Sequence, residues 1–455
     1  LNKIPKEVAV NTIQMRSLER QAPRKILTAA TFVLAAFAMG IPRVEAGHQS
    51  AEVIIEWNEL LQQSTAGPPF VQVRTYAMTH IAMADAVVAI QGRYAPYQVR
   101  VRAPRGASAQ AAAAQAAHDV LAALNPAVLA AFDTALANRL ATIPPGPRAR
   151  GVQVGRKVAR AILEWRQNDG SATANPQPPP FLASTLPGIW KQTASGSAQF
   201  SEFGNVVPFG LLTAMQFLPA VMPQLESAEY AEDYNEVKSK GRATGSTRTL
   251  EETRFAQLFA GAGAFANVTN LFRLWSNVAR DVSQDNSLSL AATARVFALL
   301  TASMHDSLQT SHTSKFVYRL WRPETAIDQA AIDNNPATGP EALWPPLLVT
   351  PPYPSHSSNA ACVGAGAARM LANVFGDDAQ SFTATWYTGA SPPAVVHAEP
   401  YESLWAMALD QADSRVWGGI HFRFELETSQ VSCSQVADYL FDNYMQPRRH
   451  GDDHD

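Results

Sequence analysis

Three short blocks in the last third of this chain concentrate residues able to grip a small oxyanion. They read Lys315-FVYRLW-Arg322-Pro323, Pro354-Ser355-His356-Ser357 and Ser414-Arg415-VWG-Gly419-I-His421. One lysine and two arginines bring three cations, and guanidinium forks match the oxygens of phosphate-like anions. Ser355 adds a hydroxyl, and His356 and His421 add imidazoles that exchange protons near neutral pH. Nothing else in the sequence assembles as much anion chemistry.

Each block has a plainer reading beside the functional one. Lys315 and Arg322 stand two helical turns apart, so on one helix they share a side, and Pro323 ends or kinks that helix. Two cations without acidic neighbours repel unless an anion lies between them; alone, they also fit a solvated basic stripe. Phe316, Val317, Leu320 and Trp321 argue for burial instead. Ser355 to Ser358 follow the rigid Pro351-Pro352-Tyr353-Pro354 and precede NAACVGAGAARML, a helix start. There, free backbone N–H groups can seat an anion, or serine simply caps, leaving His356 at the surface. Gly418-Gly419 allow a sharp turn between Arg415 and His421, and Glu425, four residues after His421, can orient its ring. A zinc site at His421 and Glu425 lacks a third ligand.

The elements that must position these groups read as helices. The chain has 455 residues, of which 16% are charged, against about 25% in an average soluble protein. Alanine is abundant and β-branched alternation is scarce. The expected fold is all-α: two related helical-bundle halves packed as one compact unit, with the oxyanion site in the C-terminal half. The relatedness comes from RTYAMTHIAMADAVVAI and RVFALLTASMHDSLQTS. Arg74, Ala77, Met83 and Asp85 align with Arg295, Ala298, Met304 and Asp306, and each stretch follows a tryptophan helix, at Trp57 and at Trp275. Asp85 and Asp306 read as buried carboxylates bonded to a neighbouring helix. The boundaries are 1–46 for a signal peptide and upstream residues, 47–175 for the first half, 176–248 for a Pro-rich connection and 249–455 for the catalytic half. Thr249-Leu250-Glu251-Glu252 is a capping box that opens the last segment.

Arg24-Lys25, an apolar run from Ile26 to Ile41 and Val44-Glu45-Ala46 describe a secretory signal, so secretion or periplasmic export is expected. No later run is long enough to span a bilayer. A net charge of −3 excludes any global attraction to nucleic acid. Cys362 and Cys433 suit either one disulfide or two buried thiols.

Together the blocks resemble the signature of the vanadium-dependent haloperoxidases and type 2 phosphatidic acid phosphatases: Lys, six residues, Arg-Pro; Pro-Ser-Gly-His; Ser-Arg, three residues, Gly, one residue, His, three residues, Asp. AMTHIAMADA, WRPETAI and GIHFRFE resemble the bacterial haloperoxidase branch. Two departures stand out: Glu425 where the family prefers Asp, and Pro-Ser-His-Ser in the middle block, where either His356 or Ser357 fills the histidine position. The resemblance implies that Lys315, Arg322, Ser355 and Arg415 hold vanadate, or phosphate in the same site. It makes His421 the metal ligand or phosphoryl-accepting nucleophile, Glu425 its orienting carboxylate, and His356 the proton handler. Hydrogen peroxide and halide, bromide before chloride, are then the implied partners. A secreted acid phosphatase acting on phosphomonoesters and a catalytically degenerate oxyanion binder are the alternatives, and an oligomer stays open.

Overall fold

A computed structural model describes residues 50–179, 184–266, 268–389 and 393–448. The signal-peptide segment lies outside these residues. The described residues fall in one unit that starts at residue 48.

Thirteen α-helices occur among the described residues. The first half comprises α1 (Glu52–Ser64), α2 (Pro69–Gln91), α3 (Ala109–Leu124), α4 (Leu129–Ala141) and α5 (Pro145–Arg166). The second comprises α7 (Leu250–Ala260), α8 (Leu271–Asp285), α9 (Leu290–Tyr318), α10 (Pro323–Asp328), α11 (Asn359–Phe375), α12 (Leu404–Trp417) and α13 (Arg423–Asn443). Thr249 and Glu252 complete the expected reciprocal cap of α7. The connecting stretch is more ordered than its proline content suggests. It contains α6 (Ala228–Lys240), capped by Ser227, whose Tyr230, Tyr234 and Val237 recur on one buried stripe.

The long helices α2 and α9 are buried along most of their length and pack against each other. α3 and α5 close the first bundle, and α11, α12 and α13 close the second. Alanine lets α3 and α5 approach closely; a Cβ at Gly155 would lie 2.5 Å from the Ala112 carbonyl oxygen. One antiparallel hairpin, β1 (Phe382–Tyr387) with β2 (Val395–Tyr401), interrupts the helical pattern. Its FTATWY strand alternates buried and more exposed positions, a period-two pattern that suits a half-covered strand.

The paired sequence positions make parallel contacts. Arg74 donates to the Arg166 carbonyl at the end of α5 (2.9 Å), and Arg295 donates to the Met445 carbonyl just past α13 (2.9 Å). Asp85 accepts the backbone N–H groups of Tyr97, Gln98 and Val99. Asp306 accepts those of Phe209, Gly210 and Leu211. Both carboxylates thus pin loop backbones; the neighbouring-helix partner expected from sequence is replaced by three amides each. Cys362 and Cys433 are free, buried thiols in one small apolar cluster.

Candidate active site

Lys315 lies in the last turn of α9, fully buried. The expectation that Arg322 shares its helix is not met. Arg319 ends α9 in a left-handed conformation (φ 57°), and Arg322 is the extended N-cap of α10, with Pro323 at its first position. Proline disfavours helical backbone in the preceding residue, which is why Arg322 starts a helix instead of ending one. The break turns the Arg322 side chain toward the third block: Nη1 donates to the Ile420 carbonyl (2.8 Å) and lies 3.2 Å from His421 Nε2. Its Nε donates to the Tyr353 carbonyl (2.9 Å). Lys315 Nζ donates to the Ser355 carbonyl (2.7 Å) and to that of Ser357. Arg415, near the end of α12, donates from Nε to Ser414 Oγ (3.0 Å).

Gly419 makes the turn that brings His421 back to these cations. Its φ is +78°, and a Cβ there would meet the Gly241 carbonyl oxygen at 2.5 Å, so both conformation and space demand glycine. His421 Nδ1 is 2.9 Å from Glu425 Oε2; with a carboxylate as neighbour, Nδ1 carries the proton and Nε2 keeps its lone pair. Glu425 Oε1 also accepts from Ser355 Oγ (2.7 Å) and the Phe422 amide (2.9 Å). One carboxylate therefore ties the second block to the third.

Burial dominates the electrostatics. It drives Lys315 well below the usual lysine range, aided by Arg322 and opposed by Glu425. It lowers Arg415 to about 10. It pushes Glu425 up to about 7 against the pull of Lys315, the Phe422 amide and Arg322. His421 is held far below its ordinary value by burial, then by Arg322, Lys315 and Arg415, so its ring is neutral at physiological pH. Two guanidinium nitrogens, Arg322 Nη2 and Arg415 Nη2, are buried without a hydrogen-bond partner. Such groups are costly unless something accepts from them.

The middle block departs from expectation. The amides of Ser355, Ser357 and Ser358 donate to Leu320 O, Ser314 Oγ and Ser429 Oγ, so they are not free to seat an anion. Ser358 instead caps α11. His356 is neither at the surface nor in the cavity described below. It is fully buried, with Nε2 2.8 Å from the Ala220 carbonyl and its ring beside Tyr318 and Phe424. The Ser357 hydroxyl bonds Ser311 and Ser314.

Arg415 and His421 open onto a cavity of about 540 Å³. Its wall is largely aromatic and aliphatic, with Phe70 from α2, Phe259 from α7, Phe272 from α8 and Leu308 from α9. Tyr353 and Asn359 are its uncharged polar members nearest the signature blocks. Neither was singled out from sequence, although Tyr353 stands two residues before Ser355. Among the described residues, no group of three or more His, Cys, Asp and Glu side chains could hold a metal ion by itself.

Residues 295–450 match the family model for the VCPO second helical-bundle domain. Three solved structures share the fold over most of the chain. A bacterial vanadium-dependent iodoperoxidase is 21% identical with a TM-score of 0.74, covering 88% of this chain and 98% of that one. The holo form of a bacterial vanadium-dependent chloroperoxidase is 14% identical with a TM-score of 0.66, covering 87% and 96%. A bacterial chloroperoxidase in apo form is 14% identical with a TM-score of 0.62, covering 83% and 95%. No curated protein matches. Over its described residues this chain thus shares the fold of the bacterial vanadium haloperoxidases, and residues 295–450 match the second helical-bundle domain of that family.

Proposed function

We propose that this chain is a vanadate-dependent haloperoxidase that uses hydrogen peroxide to oxidise bromide or iodide more readily than chloride. The observation that carries the reading is the pair of orphaned guanidinium nitrogens, on Arg322 and Arg415, beside a neutral His421. Arg322 and Arg415 each keep a buried nitrogen with no acceptor, so a bound oxyanion would satisfy the orphaned donors. These residues fit vanadate: Lys315, Arg322 and Arg415 would surround its oxygens, and His421 Nε2 would be its protein ligand.

Vanadate, when bound, supplies the Lewis acidity that activates peroxide toward halide. The chain's own residues do the rest. Glu425 keeps the His421 proton on Nδ1, so Nε2, which now accepts from Arg322 Nη1, is the nitrogen that would face a bound vanadate. Lys315, braced by the Ser355 and Ser357 carbonyls and standing against the Tyr353 ring, would donate to the anion's oxygens. In the reading we favour, Ser355 turns its hydroxyl from Glu425 to the anion when one is present. The phenylalanines and Leu308 exclude water, which strengthens each of these interactions. Phosphate can take the same seat, which keeps an acid phosphatase as the second reading. The aromatic cavity and the haloperoxidase fold relatives favour the first. We also propose export, resting on the signal-like residues 24–46.

The test is bromination of a phenolic dye by peroxide and bromide, using apoprotein at low phosphate with and without orthovanadate. p-Nitrophenyl phosphate hydrolysis is followed in parallel. The expected result is vanadate-dependent bromination that His421→Ala abolishes. Vanadate-inhibited hydrolysis without bromination would establish the phosphatase, and anion binding without either reaction would establish the degenerate binder.

A further inference from the structure

We propose that Tyr353, held by Asn359 and His312, is the catalytic hydrogen-bond donor of the oxyanion pocket, in the role that neither His356 nor Ser357 occupies. The assignment rests on the oxyanion reading above. His356 is turned to the Ala220 carbonyl and the Ser357 hydroxyl is engaged by Ser311 and Ser314. The cavity that Arg415 and His421 share must therefore find an uncharged donor elsewhere, and its wall offers Tyr353.

Tyr353 is fixed against two of the cations. Lys315 Nζ lies 5.3 Å from its ring centroid and Arg322 Cζ lies 5.2 Å from it. The same arginine holds its backbone carbonyl. Contacts of this kind attach the ring to the anion seat more firmly than packing alone. Asn359 lines the cavity together with Tyr353 and pulls against burial at the phenol. Burial keeps its pKa above the ordinary tyrosine value despite Arg322 and Arg415, so the hydroxyl retains its proton.

The orientation of Asn359 is set from behind. His312, one turn before Lys315 on α9 and fully buried, has Nε2 3.2 Å from the Gln199 carbonyl. A carbonyl only accepts, so Nε2 bears the proton and Nδ1 is left as an acceptor. Asn359 Nδ2 meets that Nδ1 at 3.3 Å, and Asn359 Oδ1 accepts from Ser311 Oγ at 2.9 Å. Both ends of the amide are thereby assigned, and its second N–H is the one left for the phenol oxygen. In this assignment the Tyr353 oxygen accepts that N–H, which leaves its O–H to donate to an anion in the cavity that Tyr353 lines. His312 and Asn359 are positioning residues in this scheme. His312 also packs edge-on against Tyr353 and Phe70, with centroids at 5.0 and 4.6 Å.

The experiment measures binding of orthovanadate, and separately of inorganic phosphate, to the purified chain by titration calorimetry. Steady-state bromide oxidation is followed alongside. The variants are Tyr353→Phe, His312→Phe and His312→Gln, each checked by near-ultraviolet circular dichroism. Tyr353→Phe is expected to weaken both anions about fivefold to tenfold, the scale of one lost neutral hydrogen bond. It should lower kcat at least about tenfold while the KM for bromide stays within about twofold. His312→Phe keeps the aromatic packing and should reproduce part of this loss. His312→Gln can still accept from Asn359 and donate to Gln199, and should recover most of it. Unchanged affinity and kcat in Tyr353→Phe would overturn the assignment, as would a His312→Gln no better than His312→Phe. Wild-type protein that binds neither anion would instead sink the oxyanion reading, and this proposal with it.

Discussion

The side chains at the centre of this protein are organised around unsatisfied charge. Arg322 spends Nε and Nη1 on carbonyls and the His421 ring, and Arg415 spends Nε on Ser414, yet each keeps one buried nitrogen without an acceptor. A buried charge-assisted hydrogen bond contributes about 1.5–3 kcal/mol, so Arg415→Ala should weaken phosphate or vanadate binding by about tenfold to a hundredfold. Calorimetric titration of the apoprotein reads this directly. The fold itself should gain or lose little, because the arginine leaves only Ser414 behind. The imidazoles show why residue type alone does not assign a role. His356 has the right chemistry in the right block, but its Nε2 is committed to the Ala220 carbonyl. His312, which carries no motif, stands beside the cavity because it lies one turn from Lys315 on α9.

At the scale of elements, the long helices α2 and α9 work as clamps. Asp306 holds three successive amides, Phe209, Gly210 and Leu211, at 2.8, 2.8 and 3.1 Å, and thereby fixes the connection between the two halves to α9. Asp306→Ala would leave those donors buried and unpaired, at about 1–3 kcal/mol for each one that water cannot reach. The expected outcome is a loss of about 3 kcal/mol or more in chemical denaturation. Its mate Asp85 does the same for residues 97–99. The spacing that aligned Asp85 with Asp306 in the sequence was thus visible as a repeat. The partners were not, since Phe209 lies 97 residues before Asp306. The break between α9 and α10 shows the same limit: Pro323 announced a boundary, whereas the left-handed turn at Arg319, whose carbonyl accepts from the distant Trp190 amide (2.7 Å), had no local signal.

Across the whole molecule, buried carboxyls shape the response to pH. Asp233 on α6 accepts the Phe424 amide of α13 (2.6 Å) and is pushed up to about 7, first by burial and then by Glu427 and Glu236. A carboxyl with a folded pKa above its unfolded value of 3.8 binds its proton more tightly when folded. Its contribution to stability is fully present below about pH 4 and is lost as pH rises through about 7. Asp233→Asn keeps an acceptor for the Phe424 amide but no titration. Its melting temperature should therefore fall less than that of wild type between pH 5 and pH 8, measured by scanning calorimetry at both values. None of the helices described is, by itself, long and apolar enough to cross a membrane; their apolar surface is directed into the shared core instead.

The sequence by itself determined the helical class, the repeat of α2 in α9, the cap at Thr249 and the roster of cations, because periodicity, capping chemistry and residue type are local properties. It also offered Gly418-Gly419 as a place where the chain can turn before His421. Only the tertiary structure decided which of those groups meet. Arg322 and His421 come within 3.2 Å across 99 residues, and Glu425 joins Ser355 to His421 across 70. His356 is lost to a carbonyl 136 residues earlier. Tyr353 and His312 sit close in sequence to Ser355 and Lys315, but their contact with each other, rings 5.0 Å apart, joins residues 41 apart and exists only in the fold. Buried polar groups must find partners wherever the folded chain brings them, and that requirement acts on distances in space rather than in sequence.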